Sequence, residues 1–210
     1  MKKWILRQIE DDTRARLEER LAEVEGARAL GWDSEDSMWT RFRAATDLYD
    51  FKGARVLDVG CGFGDFYTFL EERGQTPAEY YGVDISDEIL RIAEESNPQG
   101  TYENRNVLVD PFEAGRFDIV VEFGLLNYSL DVVSNETYAR EYMQTCKGFG
   151  DAVLINCLSN YREGDWEYED FVHYFDPGEM FGYAQELTRD VVLKHDFEPI
   201  PQKEFHLLLR

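Results

Sequence analysis

Residues 55–64, Arg-Val-Leu-Asp-Val-Gly-Cys-Gly-Phe-Gly, constrain the fold more than any other stretch of the chain. An apolar run over 55–59 predicts a buried strand, and glycines at 60, 62 and 64 permit a tight turn into a helix over 65–73. The same alternation continues downstream. Strands are predicted over 80–85, weakly over 106–109, then over 117–123 and 152–158, with further strands near 190–195 and over 204–209. Helices are predicted from Ser86 to just before Asn97-Pro98, over about 134–147 and near 177–188. Strand and helix taking turns over 55–158 imply parallel strands joined by crossover helices, a doubly wound α/β sheet.

Ahead of this core, Leu6, Ile9, Leu17, Leu21 and Val24 share one helical face over 4–30, supported by Glu10/Arg14 and Asp12/Arg16 at i,i+4. Gly31 breaks that helix, and Ser34 is placed to cap a second one carrying Met38, Trp39, Phe42 and Leu48. Without a repeat, linker or low-complexity tract, 1–210 is expected to form one domain. Residues 1–50 would be a helical extension or lid, 51–160 the ligand-binding core, and 161–210 the substrate-side segment and last strands.

Bulk properties exclude several classes. Hydrophobic content of 43% with 14% aromatics rules out a disordered chain. No apolar run approaches 18 residues, so no membrane partner is expected, and the early acids argue against a signal peptide. Forty-three acids oppose 22 bases for a net charge of −21, which disfavours nucleic acid as a partner. Cys61, Cys146 and Cys157, like His173, His195 and His206, lack metal-ligand spacing, so no metal is expected; scattered thiols suit a reducing cytoplasm.

The glycine turn alone is weak evidence for any one ligand. Three carboxylates sharpen it. Asp58, two residues before Gly60, suits a ligand with a cationic amino group and would oppose a pyrophosphate. Asp84 ends the second strand 20 residues after Gly64, where an acid accepts ribose hydroxyls. Asp110, after the predicted third strand, can accept from an adenine amino group, although beside Pro111 it also fits a plain turn. Amine, ribose and adenine together describe S-adenosylmethionine (SAM), whose product is S-adenosylhomocysteine.

On these residues the chain resembles the class I SAM-dependent methyltransferases. Residues 56–65 resemble their first motif, and Asp84 and Asp110 their second and third positions. The stretch Ala29-Leu30-Gly31-Trp32 with Arg41-Phe42, and the tail from His173-Tyr174-Phe175-Asp176-Pro177 to Asp196, are similar to one group of small stand-alone bacterial and archaeal methyltransferases. The resemblance implies a Rossmann-like seven-stranded sheet whose last strand is antiparallel and lies beside the sixth. It implies a cofactor site at Asp58, Gly60, Cys61, Gly62, Gly64, Asp84 and Ile85, with Phe112 as a further adenine wall next to Pro111. It also places Glu122, Phe123 and Asn127 near the transferred methyl group.

Each remaining candidate has two readings. Arg41 meets the SAM carboxylate or is a solvated helix arginine. Glu122 orients the acceptor or methionine amine, or is a buried acid with a structural partner. Asn127 and Tyr128 follow it and could line the acceptor pocket. His173 and Tyr174 are a general base and hydroxyl, or parts of a lid. Seven acids and one arginine between 161 and 182 are a solvated loop or, over the acceptor, favour a neutral or cationic substrate. The expected function is methyl transfer to oxygen or nitrogen of a small molecule, by a monomer or homodimer. Protein methylation, another macromolecular acceptor and a non-catalytic SAM-binding module remain alternatives.

Overall fold

The computed structural model of the chain describes residues 1–161, 169–197 and 203–210. Its strands are β1 (Arg55–Val59), β2 (Glu79–Asp84), β3 (Thr101–Asn104), β4 (Phe117–Phe123), β5 (Gly150–Leu158), β6 (Val191–Lys194) and β7 (Glu204–Leu209). Its helices are α1 (Lys3–Glu23), α2 (Glu35–Thr46), α3 (Asp65–Glu72), α4 (Asp87–Ser96), α5 (Asn135–Phe149) and α6 (Pro177–Leu187), with short 3₁₀ turns at Gly26–Leu30 and Leu125–Asn127. The strands form one sheet in the order β3-β2-β1-β4-β5-β7-β6. Pairing is parallel from β3 to β5, and β7 runs antiparallel to both neighbours. Strand order reverses between β1 and β4, and their carboxyl ends open the crevice in which such sheets take ligands.

Local sequence explains the element ends. Ser34, Ser86 and Ser134 each accept a backbone N–H of the first turn that follows them. Asp176 does the same ahead of Pro177, the first residue of α6. Phe42, Phe66, Phe69 and Phe123 interlock on one face of the sheet with ring centroids 4.7–6.4 Å apart. Tyr142, Met143, Phe149, Phe175 and Met180 fill the other face, joined by Leu6 and Ile9 of α1.

Two elements differ from the pattern expected of them. The third strand is Thr101–Asn104, and 106–109 is instead a turn. Thr-Tyr-Glu-Asn looks unlike a core strand because β3 is the sheet edge and neither of its faces is fully buried. Val107-Leu108-Val109 is apolar because it packs inward from a turn, with Val107 in the core. The first helix stops at Glu23, and only Leu6 and Ile9 are buried along it. Its Glu10–Arg14 pair forms, whereas Arg16 turns away from Asp12 to the Ser129 carbonyl.

Candidate cofactor and acceptor site

A cavity of about 450 Å³ lies over the carboxyl ends of β1, β2 and β4, roofed by α1 and the 26–33 segment. At its floor, Asp58 is buried and its Oδ2 accepts the hydroxyl of Tyr80. Burial pushes this carboxyl up to about 7; the Tyr80 hydrogen bond opposes the shift, and Asp84 and Asp65 add to it. The turn above it has positive φ at Gly60, Gly62 and Gly64. It is tied to β2 by Gly60 and Cys61, whose N–H groups both donate to the Val83 carbonyl, at 2.8 and 3.0 Å. A Cβ at Gly60 would come within 2.9 Å of Leu125 Cδ1, and one at Gly62 within 2.6 Å of Leu30 Cδ1. The backbone is thus approached as closely as only glycine permits.

Asp84 ends β2 facing the same space. Its carboxylate accepts N–H bonds from Gly62 (3.3 Å), Ile85 (2.7 Å) and Ser86 (3.1 Å). Burial raises its pKa while those three donors resist. Half-buried Ile85 continues the wall, and its carbonyl accepts the Arg14 guanidinium from α1. Phe123, Asn127 and Tyr128 form the opposite wall, where Asn127 Oδ1 accepts the Leu158 N–H at 2.9 Å.

The structure brings Arg41, Asp58, Gly60, Cys61, Gly62, Asp84, Ile85, Phe123 and Asn127 onto the cavity. Arg41 lies there already occupied. Its Nε donates to Glu204 Oε2 at 2.7 Å, its Nη2 donates to Glu204 Oε1, and Ser37 Oγ accepts its Nη1 at 2.6 Å. That corrects the solvated reading: the side chain is buried and reaches the cavity already ion-paired to Glu204.

Other expected residues stand elsewhere. Glu122 lies behind the wall, fully buried, with Oε2 accepting Leu125 N–H (2.9 Å) and Oε1 accepting Asn156 N–H (2.8 Å). It ties the end of β4 to β5 and is pushed up to about 8 by burial against those two bonds. Asp110 is an exposed acid 3.4 Å from Arg105, displaced from the cavity because the third strand ends earlier than expected. Pro111 follows it off the wall, and Phe112 packs into the core against Tyr81, Phe117 and Phe149. Gly64 caps α3 behind the turn, with its carbonyl held by Asn97. His173 pairs with Glu136 at 2.8 Å, and the Tyr174 hydroxyl accepts Glu169 N–H; neither reaches the wall. Of the acidic segment, 162–168 lie outside the described residues, while Glu169 and Phe171 line the cavity.

Asn106 is the residue that sequence reasoning passed over. It lines the cavity two residues beyond β3, its Oδ1 accepts Leu108 N–H and its Nδ2 donates to Glu10. Only the true end of β3 would have located it. Arg20 was also missed, because nothing local to α1 marks which arginines face inward. Among the described residues, no group of three His, Cys, Asp or Glu side chains could hold a metal ion. None of the described helices is long and apolar enough to cross a membrane.

Known proteins share several of these features. Residues 56–150 match the model of a methyltransferase domain. The chain is 29% identical over 152 residues to a demethylmenaquinone methyltransferase of Lactococcus lactis, covering 66% of this chain and 58% of that protein. It is 33% identical over 129 residues to a ubiquinone/menaquinone biosynthesis C-methyltransferase of Geotalea uraniireducens, covering 57% and 52%. The chain thus spans about half the length of the curated relatives it matches. Among solved structures, the fold is like that of magnesium protoporphyrin IX methyltransferase from Synechocystis with bound S-adenosylhomocysteine, at TM-score 0.60 and 11% identity over 95% of this chain and 94% of that one. Phosphoethanolamine N-methyltransferase 1 of Haemonchus contortus gives TM-score 0.66 and 12% identity over 95% of this chain and 48% of that one. Residues 56–150 thus match a methyltransferase domain, and the seven-stranded sheet shares the fold of solved S-adenosylmethionine-dependent methyltransferases.

Proposed function

We propose that the chain transfers the methyl group of SAM to an oxygen or nitrogen of a small-molecule acceptor. One observation carries this reading: a single cavity joins the glycine turn, Asp58 and Asp84 to an aromatic end formed by Trp32, Tyr128 and Phe171. A donor and a compact acceptor fit that space together, whereas a macromolecular chain would need an open groove.

The residues present fit SAM. Asp58 is a buried carboxyl whose proton an ammonium group would displace, Asp84 has acceptor capacity left for ribose hydroxyls, and Ile85 with Asn106 walls the end suited to adenine. Bound there, SAM would supply a methyl carbon already attached to its leaving group. The protein's part is to align the acceptor and exclude water. No histidine or lysine lines the cavity among the described residues, and burial holds the Cys61 thiol well above its ordinary range. A proton-bearing acceptor would therefore have to pass its proton to one of the lining carboxylates, and an acceptor already ionised needs no base.

The quinone relatives, one of them named for C-methylation, favour a second reading in which an electron-rich ring carbon accepts the methyl. Calorimetry with SAM and S-adenosylhomocysteine tests the donor half. Wild type binds both, and Asp84→Ala weakens binding by more than about tenfold, roughly the loss of one charge-assisted hydrogen bond. No binding at millimolar ligand ends the proposal. Labelled methyl transfer to metabolites, proteins and RNA then tests the acceptor half. Label in protein or RNA overturns the small-molecule reading, and binding without transfer favours a sensor. NMR of the product assigns oxygen, nitrogen or carbon.

A further inference from the structure

We infer that the acceptor is held through an oxyanion, a carboxylate or phosphate, gripped by Arg20 and the Tyr128 hydroxyl with Arg28 at the rim. This deepens the methyltransferase reading and rests on it. Four arginines line the cavity. Arg41 is ion-paired to Glu204, and Arg105 to Glu103 and Asp110. Arg20 donates to the Tyr128 hydroxyl and Arg28 to the Asp33 carbonyl, and neither is ion-paired among the described residues, in a chain where 43 acids face 22 bases. In so acidic a protein, an inward-facing arginine left without an acid is a site with its counter-charge still to come.

The local arrangement is built for this. Arg20 Nη1 donates to the Tyr128 hydroxyl at 2.6 Å, which leaves the phenol proton free to be donated onward. Arg16 and Arg20 both stand over the Tyr128 ring, at 5.4 and 5.6 Å, and one buried Arg16 nitrogen, Nη1, has no hydrogen-bond partner. Gly31 (φ +90°) makes the room: a Cβ there would overlap Arg20 Nη1 and lie 3.3 Å from the Tyr128 hydroxyl.

The grip lies at the acceptor end. Tyr128 bridges to Val172, and Ser129 N–H donates to the Phe171 carbonyl, so this corner belongs to the loop beyond β5 rather than to the glycine turn. Nearby Glu10 is engaged by Arg14 and Asn106, and Asp33 stands at the rim beside Arg28, whose Nε donates to the Asp33 carbonyl. Leu17, Leu30, Trp32 and Phe171 supply apolar surface alongside, so the anion is carried on an apolar or aromatic body. Arginine and phenol thus override the neutral or cationic preference that the acidic 161–182 stretch implies.

The test is a ladder of probes sharing one body: 1-naphthoate, 1-naphthyl phosphate, 1-naphthol and 1-naphthylmethylammonium. Each is titrated by calorimetry against free and S-adenosylhomocysteine-saturated protein. An anionic probe is expected to bind at least about tenfold tighter than naphthol, the worth of one charge-assisted contact. The ratio of naphthoate to naphthyl phosphate tells which oxyanion fits. The R20Q/R28Q double variant brings the anions down to naphthol's affinity and leaves naphthol unchanged, while R20K keeps an intermediate value. Equal binding of naphthol and the anions overturns the inference, as does a uniform loss for all four probes in R20Q/R28Q. It is also overturned if R20Q weakens S-adenosylhomocysteine but not 5′-methylthioadenosine, because Arg20 would then serve the cofactor's own carboxylate. Failure of wild type to bind S-adenosylhomocysteine strikes the methyltransferase reading alone, since the ladder on free protein still decides the anion grip.

Discussion

Asp58 begins the chain of consequences at the level of single residues. In the free protein its carboxyl titrates near 7, well above the ordinary 3.8, because burial disfavours the charge. A cationic amine needs the carboxylate, so below pH 7 a proton must leave before the amine is held. Affinity for S-adenosylhomocysteine is therefore expected to fall on acidification below pH 7, by up to about tenfold per unit, and to level off above it. Asp65, raised to about 6, borders the same cavity and adds a smaller share at lower pH. Calorimetry from pH 5.5 to 8 reads the profile, and Asp58→Asn should bind weakly with little slope. A flat wild-type profile would mean that Asp58 is already ionised or faces something else.

Among residues, legibility followed locality. Asp58, Gly60, Gly62 and Asp84 were readable because strand, turn and acid lie within a few positions of one another, and backbone geometry carries them to one place. Asp110 was misread for the opposite reason. Val107-Leu108-Val109 has the composition of a strand but occupies a turn, which shifted the expected strand end past Asn106. Glu122 looked catalytic from its position at the end of β4, while the two N–H groups that claim it come from Leu125 and Asn156. The second of those is 34 positions away.

At the scale of elements, α2 is pinned to the sheet by charge as well as by Phe42. Glu204 of β7 accepts Arg41 and also the Asn156 amide at 2.8 Å, and His206 meets the Arg41 carbonyl at 3.0 Å. Burial holds that histidine near 4, so it adds no positive charge to the cluster at neutral pH. Arg41→Met strands a buried carboxylate and is expected to cost about 3–5 kcal/mol, with Arg41→Met/Glu204→Met recovering most of it. Urea denaturation measures both. A single variant as stable as wild type would show that the pair is not what anchors α2. This linkage spans 163 positions, which is why no reading of α2 alone showed where its arginine goes.

Over the whole molecule, a net charge of −21 on 210 residues sets a repulsion that folding must overcome. The Debye length shrinks from about 10 Å at 0.1 M salt to about 3 Å at 1 M, which screens exposed acids more than the buried Arg41–Glu204 pair. The unfolding midpoint is expected to rise by about 5 °C over that range in KCl, roughly 2 kcal/mol for a domain this size. A falling midpoint in differential scanning calorimetry would show that surface ion pairs outweigh the repulsion. The doubly wound class was legible at this scale because crossover alternation leaves few other topologies. The roof was not, since α1 is held by arginines reaching carbonyls and a phenol rather than by an apolar stripe.

Trp32 sits where these scales meet. Its ring stacks on the Arg41 guanidinium at 4.7 Å and presses on Gly124, where a Cβ would lie 3.0 Å from the indole. Among the described tryptophans it alone borders the cavity, while Trp4 is exposed and Trp39 packs on Phe69. The molecule thus carries an intrinsic fluorophore at the acceptor end of the cavity. Its emission offers a label-free optical gauge of acceptor binding, with or without the donor in place.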